Sequence, residues 1–302
     1  MPEKIKLHFL GTSGAFPTAK RNHPAFLLSY KGENILVDCG EGTQRQFRKA
    51  RLNPCKITRV LITHWHGDHV LGLPGLFQTL SLSLSEYEKT LCIYGPRGIK
   101  QHVADVLRAF PHLNEVILEV KEVSGKFFES EDFYLEAEGM EHGTPCNAYN
   151  FIEKSKLRID KVKLKKLKIK PGKHLKDLKE GKDITYEGKK YKFKDLTFSS
   201  EERKVSFVMD TANNRKIVPF VKKADVLVME STFDSSLEDL AREHKHMTVG
   251  QTAKIAKSAK VEKLFLVHVS DRYEASFPEI LKDAKKTFKN VDIPGDLDSF
   301  EF

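Results

Sequence analysis

Five short apolar runs in the chain stop at a residue that can bind a cation or move a proton. Ile35-Leu36-Val37 ends at Asp38, Val60 to Thr63 at His64, Val205 to Met209 at Asp210, Val226 to Met229 at Glu230, and Leu264 to Val267 at His268. Each run has the length and β-branched content of a buried strand. Strands that end this way gather their terminal residues along one rim of a sheet or sandwich, the edge where open sheets hold ligands. Helical periods lie between the runs. Residues 42–51 are polar and helix-compatible, and residues 73–85 predict a buried helix with Pro74 near its start. Residues 99–110 alternate at helical spacing. Thr248-Val249-Gly250-Gln251 reads as a capping box opening a helix with Val249, Ala253 and Ala256 on one face. Residues 279–288 predict a late amphipathic helix entered at Pro278. The alternation, with no solenoid-length repeat, predicts a layered α/β fold.

Residues 154–194 break the alternation. They hold 17 Lys and Arg against 5 Asp and Glu, a local excess of +12, whereas the chain as a whole carries +9. The remainder is therefore slightly acidic, at −3. Positive charge concentrated in one segment marks a nucleic-acid contact rather than general solubility. A solvated linker and a disordered tail compete with a folded arm. The regular apolar positions Val162, Leu164, Leu167 and Ile169 favour the arm.

The length of 302 residues suffices for one large domain or two ordinary ones. No stretch approaches the roughly 18 apolar residues of a membrane span. The start, MPEKIKLHFLGTSG, lacks the pattern of a secretory leader. Cys39, Cys55, Cys92 and Cys146 form no CxxC pair, which speaks against a disulfide framework or a cysteine zinc site. A cytoplasmic protein with reduced cysteines and no membrane partner is expected.

The densest chemistry is Thr63-His64-Trp65-His66-Gly67-Asp68-His69, three histidines and an aspartate within six residues just after a strand. Imidazole and carboxylate suit zinc and similar first-row ions. These residues cannot all reach one ion from a strand, but a tight loop can aim them at two. Two four- or five-coordinate ions need about seven to nine donors. His142, after an apolar run, and Asp210 and His268, at strand ends, are the further candidates.

The order HxHxDH, His, Asp, His resembles the metallo-β-lactamase superfamily and, within it, the ribonuclease Z family. Gly11-Thr12-Ser13, Arg21-Asn22, Asp38-Cys39-Gly40-Glu41-Gly42-Thr43-Gln44, Gly72-Leu73-Pro74-Gly75, Asp210-Thr211, Glu230-Ser231-Thr232, His246-Met247-Thr248 and His268 to Tyr273 carry the likeness. Met209 and Met229 stand where that family usually has glycine and histidine. Pro171, Lys173, Leu178, Lys179 and Gly181 fit its PxKxxxxLKxG substrate-gripping pattern. The resemblance implies a four-layer αβ/βα sandwich over residues 1–302 with a protruding lysine-rich exosite arm at 154–194. It implies two Zn2+ per subunit, with Mn2+ or Fe2+ as alternatives. His64, His66 and His142 would hold one ion and Asp68, His69 and His268 the other, with Asp210 bridging. Asp68 would help deprotonate the attacking water, and His246, oriented by Glu230, would protonate the leaving oxygen. Ser270 and Arg272 are candidate phosphate contacts. The implied substrate is precursor tRNA, cut to remove its 3′ trailer, and the implied assembly a homodimer. A hydrolase of small phosphodiesters or (thio)esters on the same fold is the alternative.

Overall fold

The computed structural model describes residues 3–83, 90–110 and 116–302. Its strands are β1 (Lys6–Gly11), β2 (Ala25–Tyr30), β3 (Glu33–Val37), β4 (Arg59–Leu61), β5 (Thr90–Gly95), β6 (Ile117–Glu122), β7 (Gly125–Glu129), β8 (Phe133–Met140), β9 (Cys146–Glu153), β10 (Leu157–Ile159), β11 (Ile184–Tyr186), β12 (Lys189–Tyr191), β13 (Thr197–Ser199), β14 (Arg203–Val208), β15 (Val226–Glu230), β16 (Lys263–Val267), β17 (Val291–Asp292) and β18 (Ser299–Glu301). Two seven-stranded sheets, β18-β1-β2-β3-β4-β5-β6 and β17-β16-β15-β14-β9-β8-β7, pack face to face. Alternate residues of both sheets interdigitate between them: Phe9, Phe26 and Val37 from one meet Phe151, Phe207 and Phe265 from the other. Each such side chain contributes about 1.5–3 kcal/mol through burial.

Helices cover the outer faces. On the first sheet lie α1 (Thr43–Lys49), α2 (Gly67–Val70), α3 (Leu73–Ser83) and α4 (Ile99–Ala109), with Phe47, Leu76, Phe77 and Val103 buried against it. Residues 84 and 85 of the expected third helix lie outside the described residues. The capping box forms both of its bonds at the start of the helix Val249–Ala259, and Val249, Ala253 and Ala256 are buried against the second sheet with Ile280 and Ala284 of the helix Phe277–Thr287. The result is four layers, helix–sheet–sheet–helix.

The basic segment is folded. The two-stranded ladder β10–β13 ties its ends together. Between them lie α5 (Lys161–Lys166), α6 (His174–Lys179), the hairpin β11–β12 and α7 (Phe193–Leu196). Leu164, Ile169, Leu178, Ile184 and Leu196 form a small core of their own. The folded unit thus begins and ends a few residues later than the charge run, since Lys154 N still bonds Asp132 O beside β8. Of the four regular apolar positions that favour a folded segment, Val162 and Leu167 are exposed. No helix among the described residues is long and apolar enough to cross a membrane.

Candidate metal centre

Parallel strands bring the carboxyl ends of their runs to one rim. β3 and β4 are parallel in the first sheet, and β14, β15 and β16 in the second. Asp38, His64, Asp210, Glu230 and His268 sit at or just past those ends, and His142 lies in the turn after β8. Asp38 and His268 both take left-handed backbone, at φ 57° and 55°, a conformation that Asp and His tolerate better than most residues. Two glycines make room for the loop after β4. A Cβ on Gly40 would stand 2.4 Å from the Asp68 carbonyl, and one on Gly72 would stand 2.1 Å from the Gly40 carbonyl.

The structure brings together all seven predicted ligands. His64, His66, His142 and Asp210 form one group and Asp68, His69, Asp210 and His268 another, each with its donor atoms within 4.8 Å of one another. Asp210 turns Oδ2 to the first group, 3.6 Å from His64 Nε2 and 3.9 Å from His142 Nε2. Its Oδ1 faces the second, 3.5 Å from His69 Nε2 and 3.3 Å from His268 Nε2.

The outward faces of the imidazoles decide what the inward faces carry. His69 Nδ1 donates to Asp38 Oδ2 at 2.7 Å, and His142 Nδ1 donates to the Lys245 carbonyl at 3.1 Å. The Thr63 hydroxyl donates to Asp38 at 2.8 Å, so it accepts from His64 Nδ1 at 3.1 Å. The Thr232 hydroxyl donates to Glu230 at 2.7 Å, so it accepts from His268 Nδ1 at 3.0 Å. With Nδ1–H spent outward, each ring, once it gives up its second proton, turns an Nε2 lone pair inward, the tautomer that ligates a cation. His142 Nε2 and His66 Nδ1 face each other at 3.2 Å. Buried His64 Nε2, His69 Nε2 and Asp210 Oδ1 have no hydrogen-bond partner. Converging lone pairs and orphaned acceptors fit first-row divalent cations, which nitrogen and oxygen donors of this kind hold.

The electrostatics agree. Burial opposes charge on Asp210, yet the His268 and His69 imidazoles hold its carboxyl well below the usual range. Burial likewise opposes a charged His69, and Asp210 and Asp38 outweigh it, raising that imidazole well above its ordinary value. His64 and His142 are pushed down, by burial first. The carboxylates draw positive charge into the nest.

His246 stands at its edge. Nδ1 donates to Glu230 Oε2 at 3.1 Å, and Nε2 lies 4.0 Å from Asp210 Oδ2. Glu230 is itself fixed by Thr211 N at 2.6 Å and Met247 N at 3.1 Å. Burial would lower the His246 imidazole, but the Glu230 carboxylate and then Asp210 raise it to about 9. Arg272 is exposed, its guanidinium over the Phe233 ring at 5.4 Å and its Nε 3.2 Å from Ser270 Oγ. Phe233 in turn packs edge-on to His246.

The five pattern residues of the basic segment divide. Pro171, Lys173 and Lys179 are exposed, whereas Leu178 is fully buried in the segment's core and Gly181, at φ 74°, ends α6. The Leu178 side chain therefore belongs to the packing of the segment. The sequence reading gave no role to Asp38, Thr63 or Thr232. Asp38 appears there as a strand-terminal acid, and Thr63 and Thr232 only as members of motifs.

The family described as anti-Pycsar protein Apyc1 matches residues 5–109. Ribonuclease Z of Nanoarchaeum equitans is 36% identical over 98% of this chain and 93% of its own length. Ribonuclease Z of Oceanobacillus iheyensis is 37% identical over 98% and 100%. Among solved structures, human tRNase Z, short form, superposes with a TM-score of 0.69 at 25% identity, covering 98% of each chain. The metallo-beta-lactamase fold protein YhfI from Bacillus subtilis reaches 0.73 at 18% identity over 99% of this chain and 100% of its own, a likeness of fold. With relatives at this identity along nearly their whole length, the chain belongs to the ribonuclease Z family.

Proposed function

We propose that the chain is an endoribonuclease that hydrolyses the phosphodiester at the 3′ side of precursor tRNA, removing the 3′ trailer and leaving a 3′-hydroxyl on the tRNA. The observation that carries the reading is the pair of donor groups that share Asp210. His64, His66 and His142 would hold one divalent ion and Asp68, His69 and His268 the other, with Asp210 between them. Zinc suits these donors best, with manganese or iron as alternatives. Such a pair, when bound, lowers the pKa of a water and offsets charge on a phosphate.

The protein's own groups supply the rest. Asp68 takes the proton of the attacking water as its oxygen bonds to phosphorus. The P–O3′ bond opposite breaks, and His246 Nε2 delivers a proton to the departing 3′-oxygen. Glu230 at His246 Nδ1 keeps that imidazole charged until it does so. Ser270 and Arg272 hold phosphate oxygens from the exposed side. The folded basic insert grips the tRNA body through its phosphates, with Lys173 and Lys179 presented by the turn and helix that Pro171, Leu178 and Gly181 shape. The family resemblance extends to a homodimer in which the arm of one subunit serves the site of the other. Four free cysteines and an RNA substrate suit a cytoplasmic place of action. The alternative, a hydrolase of small phosphodiesters or (thio)esters, gives the folded insert no task.

The test is incubation with an end-labelled tRNA precursor, with and without chelator, and mapping of the cut. A single metal-dependent cut at the 3′ side supports the reading, and an intact precursor refutes it.

A further inference from the structure

A braced loop beside the centre ends in an aromatic ring left in water. Residues 12–23 leave β1 and return to β2 through a loop tied at close intervals. Ser13 N donates to Asn22 O at 2.9 Å and Thr18 N to Arg21 O at 2.8 Å. The Thr18 hydroxyl reaches Glu274 at 2.8 Å. The Arg21 guanidinium bonds the Thr12 hydroxyl at 2.6 Å and the Pro294 carbonyl at 2.7 Å, and lies over the Phe277 ring. Near its tip the Ser13 hydroxyl donates to the Phe16 carbonyl at 2.6 Å. Phe16 itself is 69% exposed, more than any other phenylalanine among the described residues.

A lone exposed ring needs no explanation by itself. The pinned backbone beneath this one, and its position, do. Two residues earlier, Gly14 lies against His268, so close that a Cβ there would stand 3.4 Å from the ring. Two residues span at most roughly 7 Å, so the Phe16 backbone lies no further than that from the Gly14 contact with His268. Exposed Lys20 on the same loop adds a cation near the path of the strand. An aromatic face paired with basic charge is how single-stranded nucleic acid is held without sequence preference. A ring on a backbone fixed beforehand loses little freedom on binding.

We infer that Phe16 is a stacking platform for the base of one of the two nucleotides flanking the scissile phosphate, and so helps to set where the strand is cut. The inference rests on the RNA-cleaving reading above. Its test compares kcat/KM of the wild type, Phe16→Ala, Phe16→Leu and Phe16→Tyr on a precursor RNA and on the same RNA with an abasic ribose at either flank of the cut. Phe16→Ala is expected to lose roughly 5- to 150-fold on the intact RNA, the range that one stacked base is worth. Phe16→Tyr should recover the wild-type value within a few-fold while Phe16→Leu does not. One of the two abasic substrates should lower the wild type to the level of Phe16→Ala and lower that variant no further. If the wild type cuts the RNA and Phe16→Ala equals it, or loses the same factor on intact and both abasic RNAs, stacking is refuted while the nuclease reading stands. If the wild type cuts no RNA at all, both fall.

Discussion

Replacing Asp38 by asparagine isolates the contribution of a carboxylate that lies outside both donor groups. Asp38 is fully buried and accepts from His69 Nδ1 at 2.7 Å, from Thr63 N at 2.8 Å and from the Thr63 hydroxyl at 2.8 Å. Asparagine keeps the shape and tolerates the φ of 57° at this position, so the backbone stays. The Thr63 N–H pins Oδ1 as an acceptor, which leaves the new amide N–H₂ facing His69 Nδ1. To avoid two opposed donors the imidazole moves its proton to Nε2 and no longer offers a lone pair to the group it shares with Asp68, Asp210 and His268. Losing such an outer partner typically weakens metal binding 10- to 100-fold, about 1.4–2.8 kcal/mol. The Thr63 hydroxyl turns to Oδ1, 3.1 Å away, and goes on accepting from His64 Nδ1. Only the donor group that contains His69 is therefore affected, and chelator competition on the zinc-loaded variant should resolve one ion released 10- to 100-fold more readily and one near its wild-type affinity. Two ions held as in the wild type would refute the tautomer argument. Two ions lost together would show that the carboxylate supports the whole rim and not one ring.

Three further outcomes are expected. His246→Ala should retain both ions yet lose about 100- to 10,000-fold in turnover; metal analysis beside single-turnover cleavage checks this, and cleavage at the parental rate would remove His246 from the mechanism. In chelated protein, His246 is held at about 9 against an ordinary 6.5; because the folded-state value is raised, its stabilisation is complete below about pH 6.5 and lost as pH rises to 9, up to ~3 kcal/mol, so melting temperatures of His246→Gln should flatten across that window and an unchanged slope would contradict it. Excising residues 160–196 and closing β10 onto β13 with a tight turn should raise KM on precursor tRNA while hydrolysis of bis-nitrophenyl phosphate persists, since the insert has its own small core; equal loss on both substrates would refute a substrate-gripping role.

The strand runs that reach the rim were legible because they obey strong local rules, whereas the two-sheet sandwich was implied by the family resemblance. Runs such as Val226–Met229 and Leu264–Val267 are buried on both faces, so they are apolar throughout and stop where the buried layer stops. The capping box at Thr248 is legible for a similar reason, since both of its bonds close within one helical turn. Legibility fails where a strand depends on distant chain. Ser299–Glu301 is short and half polar, and it becomes a strand only by pairing with β1 across almost the whole sequence. It fails again in the insert. Val162 and Leu167 share the spacing of Leu164 and Ile169 yet face water, because a six-residue helix offers one narrow apolar stripe and the facing partners, Leu178, Ile184 and Leu196, come from further along the chain.

The same division runs through the metal centre. The inward donors were legible because a ligand must be a particular residue type, and few side chains suit zinc-like ions. What points those donors inward was not, because an outward Nδ1–H can donate to any oxygen. His69 uses a carboxylate, His64 and His268 use threonine hydroxyls, and His142 uses the carbonyl of Lys245, which any residue would provide. The tautomer of each ring is thus set by atoms that carry little or no sequence identity, while the charge of the nest is set by Asp68 and Asp210, which do. Substitutions of the outer oxygens should therefore vary in cost with the residue that supplies them: Asp38 costs a buried charge-assisted bond, Thr232 a hydroxyl relay between Glu230 and His268, and Lys245 nothing at this contact, provided that its backbone keeps its place.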